Sequence, residues 1–186
     1  MEEPVLIRAL DNSYCQRIID LILPIQQIEF GVPITIEAQP DLLDIEGCYI
    51  RPGGGFWGAL TAQGPFGPNP TNPNPTNLNP TNPDLILGSI ALMSVGHNAG
   101  VIRKMFVRKE FRGKQLSIAQ RLLDTLITHC RNHGIHDIYL GTVDQMKAAH
   151  RFYERNGFRA IGIDALPSYF PRMKTDNLFY HLHLEI

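Results

Sequence analysis

A short basic turn with one glycine stands between an apolar segment and an amphipathic one, and consists of Arg112, Gly113, Lys114 and Gln115. Residues 101–107 before it have the composition of a buried strand, and a helical apolar stripe follows Ser117. The start of a helix leaves backbone N–H groups without intrahelical partners and carries partial positive charge, so main-chain donors can bind an anion there. The turn therefore has the chemistry of a diphosphate site, although the same residues also suit an ordinary solvent-exposed connection from strand to helix.

The elements around this turn follow from the spacing of apolar residues. The helix is predicted over residues 117–133, with Ser117 as its N-cap and Gly134 as its stop. A strand is predicted at residues 137–141. Because a helix joins this strand to the one at 101–107, the two should be parallel with a right-handed crossover.

The remaining pattern predicts a single α/β (α+β) domain over residues 1–186. Ser13 is the predicted N-cap of a first helix that Pro24 ends. Further helical pieces are predicted at 25–30, 40–44 and 146–155, and strands at 5–10, 56–60, 85–94, 158–163 and 177–185. Residues 85–94 and 101–107 should form an antiparallel hairpin. The sheet is predicted to be mixed, twisted and mostly antiparallel, with a parallel split pair and helices on both faces.

Residues 64–83 include a low-complexity insertion in which NPTNP, NPTNL and NPTNP follow one another. Proline cannot donate to a strand ladder, and asparagine adds no apolar area. We expect an exposed, partly extended loop inserted between two strands, although a binding arm is the alternative.

The composition limits the classes of partner. The net charge of −1 gives no general attraction to nucleic acid or anionic lipid, so phosphate recognition must be local. Three scattered cysteines indicate neither disulfides nor zinc, and His181 and His183 without a third ligand predict no metal site. No secretory signal or membrane span is evident, so we expect a soluble cytoplasmic protein without nucleic-acid or membrane partners.

Two motifs carry a family resemblance. Lys114, Ser117 and Ala119 fall on the pattern Gln or Arg, two residues, Gly, one residue, Gly or Ala. Residues 149–158, AHRFYERNGF, match a second and more specific pattern, which is Ala, three residues, Tyr, Glu, a basic residue, any residue, Gly and Phe. On these motifs, residues 85–158 resemble the GNAT superfamily of acyl-CoA-dependent N-acetyltransferases. Lys114 and Ser117 depart from the first pattern, and Met146 stands where relatives often have Asn.

The resemblance implies acetyl-CoA as cosubstrate and acetyl transfer by direct attack of a primary amine from a small molecule or peptide. It places the Val107 amide near the carbonyl oxygen and makes Tyr153 the general acid that protonates the CoA thiolate; the alternative for Tyr153 is a packed core tyrosine. The implied cofactor-binding residues are Met105, Phe106 and Val107 along the strand, Arg112, Gly113, Lys114, Gln115, Leu116, Ser117, Ile118 and Ala119 at the turn, and Ala149.

The general base and the acceptor are less determined. Glu29 is the first candidate base, because relatives build their acceptor site at the end of the second helical piece; a solvent-exposed carboxylate is the alternative. A CoA-binding regulatory or interaction module without turnover, and a purely structural domain, stay open as other functions. The sequence identifies neither the amine nor the oligomeric state, although many relatives are homodimers.

Overall fold

The computed structural model describes residues 5–61 and 85–185. Within these ranges seven strands form one sheet, in the spatial order β1-β2-β3-β4-β5-β7-β6. The strands are β1 Val5–Ala9, β2 Gly55–Thr61, β3 Ile86–Ser94, β4 Ala99–Val107, β5 Asp137–Thr142, β6 Arg159–Ile161 and β7 Leu178–His183. All neighbours are antiparallel except β4 and β5. The predicted mixed sheet with one parallel pair is confirmed.

Three α-helices accompany the sheet in the described ranges: α1 Cys15–Pro24, α2 Ile118–Asn132 and α3 Lys147–Arg155. Shorter helical turns lie at Asn12–Tyr14, Ile25–Glu29, Pro40–Leu42, Glu46–Ile50, Lys109–Phe111 and Ile163–Ala165. The Ser13 cap is wrong: the Asp11 carboxylate accepts from the Ser13 amide at 2.9 Å, and Tyr14 at the N-cap position makes no side-chain cap. An aspartate two residues ahead of a backbone amide forms its own turn, so capping moves upstream of α1.

Each face of the sheet buries its own apolar cluster. On one face, Leu122 and Leu126 of α2 and Tyr153 of α3 pack with the strands. On the other, Ile18 and Leu21 of α1 form a second buried cluster. Helices therefore cover both faces of the central strands, while the edge strands β1 and β6 keep exposed residues.

The last strand differs from its prediction. Residues 177–185 alternate in sequence and predict a strand with one buried face, yet neighbouring Phe179 and Tyr180 are both buried. β7 lies between β5 and β6, and Phe179 packs on Phe170 on the face opposite to Tyr180. A loop therefore covers the face that the alternation predicts to be solvated.

A bulge in β4 decides where the sheet opens. Ser89 pairs with Phe106 and Ala91 with Arg103, so two residues of β4, Lys104 and Met105, oppose one of β3. Lys104 has a φ of +52°, in the left-handed region, and its carbonyl accepts from the Ser89 hydroxyl at 2.7 Å. A bulged strand bends and twists more strongly than a regular one. β4 pairs with β5 only from Ala99 to Val101, before the bulge, and the two strands then separate.

The Asn-Pro-Thr insertion at 64–83 lies outside the described residues. Across residues 5–61 and 85–185, no helix has the length and apolar character needed to cross a bilayer.

Ser89→Ala is expected to lower the free energy of unfolding by about 1–2 kcal/mol, because a buried hydroxyl that supports the bulge is lost. Urea denaturation followed by far-ultraviolet circular dichroism measures the change. Ser94→Ala, at the far end of β3 and without a hydrogen bond to the bulge, is the matched control. Equal stability of the two variants would contradict a supporting role for Ser89.

Candidate active site

A cleft of about 180 Å³ lies where β4 and β5 separate. Its first wall combines Met105 and Phe106 of β4 with residues 140–143 around the end of β5. Met146, Ala149 and Tyr153 close it from the α3 side. The opposite wall comes from distant segments and contains Gln26, Val32, Ile34, Gln39, Met173, Thr175 and Asp176. The cleft is therefore formed by the split of the sheet together with loops from both ends of the chain.

The edge of β4 that faces this gap carries unpaired backbone groups. The Arg108 amide donates to the Leu87 carbonyl of β3 at 2.8 Å. Since N–H groups alternate in direction along a regular strand, the Val107 amide points away from β3. The open edge can thus donate to a ligand or to a carbonyl oxygen that gains negative charge.

Tyr153 lies in the cleft wall beside this edge. Tyr153 is 6% exposed to solvent, and its hydroxyl donates to the Met105 sulfur at 3.2 Å. Phe152 and Phe158 pack on its ring edge to face. Burial raises the pKa of the Tyr153 phenol above its ordinary value of 10. The hydroxyl therefore keeps its proton at neutral pH and can donate it.

The start of α2 leaves its first amides uncapped. Ser117 is in the left-handed region, with φ 49° and ψ 33°, and no side chain caps the helix. The prediction of Ser117 as a capping side chain is therefore wrong: its hydroxyl turns back and donates to the Lys114 carbonyl at 2.7 Å. The first intrahelical bond runs from the Arg121 amide to the Ser117 carbonyl, so the Ile118 and Ala119 amides precede it.

Gly88 of β3 lets the start of α2 approach the sheet. A β-carbon there would lie 3.0 Å from both the Ile118 Cγ2 and the Phe106 carbonyl oxygen. Ile118 is fully buried in the α2-side cluster. This close approach holds the uncapped amides beside the end of β4.

Glu29 lies at the basic turn and is not among the residues that line the cleft. Both its oxygens accept from the Arg112 guanidinium, at 2.8 Å for Oε2, and Arg112 Nε also donates to the Val107 carbonyl at 2.8 Å. Hydrogen bonding to Arg112 lowers the pKa of Glu29 below its ordinary value. A carboxylate stabilised in its charged form is a weak proton acceptor, so this environment is unfavourable for a general base.

The other predicted turn residues reach the surface to different degrees. Gly113, with a φ of +113°, Lys114 and Gln115 are exposed, whereas Leu116 is half-buried and packs against the α2-side cluster. The turn thus keeps one lysine and exposed backbone close to the uncapped helix start.

No sequence pattern predicted the buried polar network at the cleft wall that contains Gln26 and Gln39. Lys104 Nζ donates to Gln39 Oε1 at 2.6 Å and lies 3.2 Å from Asp41 Oδ2. The Tyr49 hydroxyl donates to the same Asp41 carboxylate, and Gln26 and Gln39 exchange amide hydrogen bonds. Burial lowers the pKa of Lys104. Lys104 reaches these partners from a bulge in which its φ is left-handed, and no spacing in the sequence indicates such a bulge.

The two histidines of β7 contact one carboxylate oxygen. His181 Nε2 and His183 Nδ1 lie 2.7 and 2.9 Å from Asp137 Oδ1. Among the residues that the structure describes, no group of three or more His, Cys, Asp or Glu side chains could hold a metal ion.

Comparison with known proteins gives concordant matches. Residues 73–158 match the Acetyltransferase (GNAT) family. An acetyltransferase of the GNAT family from Staphylococcus aureus Mu50 is 37% identical, with a TM-score of 0.82 over 97% of this chain and 99% of that one. The paia N-acetyltransferase from Thermoplasma acidophilum, solved in complex with coenzyme A, shares the fold at 16% identity, with a TM-score of 0.65 over 99% and 100% of the two chains.

A curated relative adds a match in sequence. N-acetylaspartate synthetase from Danio rerio is 29% identical over 123 residues, which are 66% of this chain. The chain spans only 36% of the length of that relative.

Substitutions at Ser117 should separate backbone strain from side-chain contact. Ser117→Val is expected to lower the free energy of unfolding by roughly 1–2 kcal/mol, because a β-branched residue is strained at positive φ. Ser117→Gly, which loses the same hydroxyl without that strain, should stay within about 1 kcal/mol of the wild type. Thermal denaturation of both variants measures the difference. Equal destabilisation would contradict the left-handed conformation.

The Glu29–Arg112 pair should show in the pH dependence of stability. Because the pKa of folded Glu29 is lowered, its stabilising effect is present above the unfolded pKa of about 4.5 and is lost as the pH falls through the folded value. Glu29→Gln should therefore be less stable than the wild type at pH 7, with the difference shrinking below pH 4.5. Urea titrations at pH 7, 5, 4 and 3 measure this, with exposed Glu185→Gln as control. A pH-independent difference would exclude the pair as its cause.

Proposed function

Since the chain belongs to the GNAT acetyltransferase family, we propose that it transfers an acetyl group from acetyl-CoA to a primary amine of a small molecule or peptide. The observation that carries this proposal is the meeting of an open backbone edge, a buried protonated tyrosine and a wall of polar side chains in one cleft. The uncapped start of α2 adds an anion site beside it.

The residues of the chain fit the two parts of acetyl-CoA. The amides at the open edge of residues 105–107 can pair with the amide groups of the pantetheine arm. The Ile118 and Ala119 amides, with Lys114 and the exposed backbone of the turn, can hold the diphosphate. Arg112 is already paired with Glu29, so its part is to hold the turn against the Val107 carbonyl.

The bound thioester supplies an activated acyl carbon, and the protein supplies position, charge and a proton. The amine attacks that carbon; a C–N bond forms and the C–S bond breaks. The Val107 amide donates to the carbonyl oxygen as negative charge develops there, an effect commonly worth a few kcal/mol of barrier. Tyr153 donates its proton to the departing sulfur, and proton loss from the nitrogen restores the phenol.

Tyr153→Phe is expected to lower kcat by about 10²-fold or more, because the proton donor is lost while the ring still fills its place. Release of free thiol from acetyl-CoA across a panel of amines, amino acids, polyamines and short peptides measures it. The affinity for CoA, measured by calorimetry, should be unchanged.

Tyr180→Phe is the matched control, because Tyr180 is equally buried but donates to Glu154 and does not line the cleft. It should keep the wild-type kcat. A wild-type rate in Tyr153→Phe would remove the proposed donor. Calorimetric CoA binding without turnover on any amine would instead favour a CoA-binding regulatory module.

A further inference from the structure

The acceptor side of the cleft holds one cation and one anion that are not paired with each other. Arg103 enters from β4, and Asp176 enters from the segment before β7. Among the ion pairs of residues 5–61 and 85–185, neither side chain has a partner of opposite charge. Two partly buried charges in this arrangement favour a ligand that brings both complements.

Arg103 has hydrogen-bonding capacity left over. One terminal nitrogen donates to the Pro171 carbonyl, and the Nε atom is buried without any hydrogen-bond acceptor. A guanidinium binds a carboxylate through two parallel N–H donors, and an unpartnered Nε beside a singly engaged terminal nitrogen is half of that arrangement.

Asp176 is seated on the backbone at the end of β5. Its Oδ2 lies 2.2 Å from the position that a β-carbon on Gly141 would occupy, so only glycine leaves room for the carboxylate there. Burial raises the pKa of Asp176, with Arg103, the Met173 amide and Arg172 opposing that rise. The carboxylate thus stands at the β5 side of the gap, facing the edge where the thioester is proposed to lie.

Lys104 is the other cation among the described lining residues, and its charge is not available to a ligand. Its ammonium is already engaged by Asp41 and Gln39. Among the described residues that line this half of the cleft, the charges available to a ligand are therefore the guanidinium of Arg103 and the carboxylate of Asp176.

Resting on the proposed function, we propose that the acceptor is a small amino acid, a molecule that carries a carboxylate together with its primary amine. Arg103 binds the carboxylate, and Asp176 binds the ammonium. Asp176 takes one proton from the ammonium and passes it to solvent, which leaves a neutral amine to attack the thioester. Over the whole reaction one proton is released, one N-acetyl bond forms and CoA leaves as the thiol.

The test compares acceptors that differ only in the carboxylate. The L-amino acids and β-alanine are each assayed against their amides and the corresponding amines lacking the carboxyl group, with thiol release giving kcat/KM. We expect the best amino acid to exceed its amide by about ten- to a hundredfold. An α-amino amide loses its proton more readily than the amino acid, so this preference cannot come from easier deprotonation.

Substitutions test which residues cause the preference for the amino acid over its amide. Arg103→Gln should reduce the ratio of amino acid to amide to near one, and Arg103→Lys should keep part of it. Asp176→Asn should lower kcat/KM for acids and amides alike. Lys174→Gln, at an exposed neighbouring lysine outside the cleft lining, should leave the ratio unchanged. CoA affinity within about threefold of the wild type, by calorimetry, shows that each variant is folded.

The outcomes separate the two proposals. Turnover of amines or polyamines with no carboxylate preference, or a preference that survives Arg103→Gln in a variant that binds CoA, overturns the amino-acid acceptor and leaves the acetyltransferase standing. Failure to bind acetyl-CoA overturns both.

Discussion

The separation of β4 from β5 is the constraint on which the rest of the site depends. Backbone N–H and C=O groups buried without partners are costly, so an unpaired strand edge persists only where water or a ligand meets it. Here the pairing stops after Val101 and Tyr139, although both strands continue. The sheet thus exposes main-chain donors in the middle of a molecule whose two faces are covered by helices, and a ligand that binds there completes the ladder.

The bulge that opens the sheet also holds in place the cleft wall that contains Gln39. A lysine in the left-handed region is unfavourable, and a buried ammonium is costly unless it is paired. At Lys104 the Ser89 hydroxyl holds the carbonyl, while Gln39 and Asp41 hold the ammonium. One residue therefore both bends β4 and ties the segment around residue 40 to it. The position of this cleft wall relative to the open edge follows from that link.

Local patterns predicted the elements better than the contacts between them. Apolar periods of two and 3.6 residues located β3 to β5, α2 and α3, and the helical connection from residues 101–107 to residues 137–141 predicted their parallel pairing. The same reasoning missed two left-handed conformations. That of Lys104 depends on partners from other segments, Ser89, Gln39 and Asp41, whereas Ser117 has only a local hydrogen bond to the Lys114 carbonyl. It also did not reveal Arg112 as the partner of Glu29, the candidate base, since nothing local indicates an arginine 83 positions away. The family motif indicated the turn and Tyr153, and it carries no information on Arg103 and Asp176.

The Glu29–Arg112 pair has a structural consequence for the open edge. Arg112 donates to the Val107 carbonyl and to Glu29 together, so it connects the end of the first helical region, the basic turn and the last residue of β4. Pairing also removes most of the net charge of Arg112 from the turn. In the proposed complex, attraction for the diphosphate rests on Lys114, the helix start and its uncapped amides, which are directional donors whose positions the chain fixes. Because the main chain provides those donors, Ser117 can stand at a position where glycine is the family pattern, provided that its backbone keeps the left-handed turn that presents them.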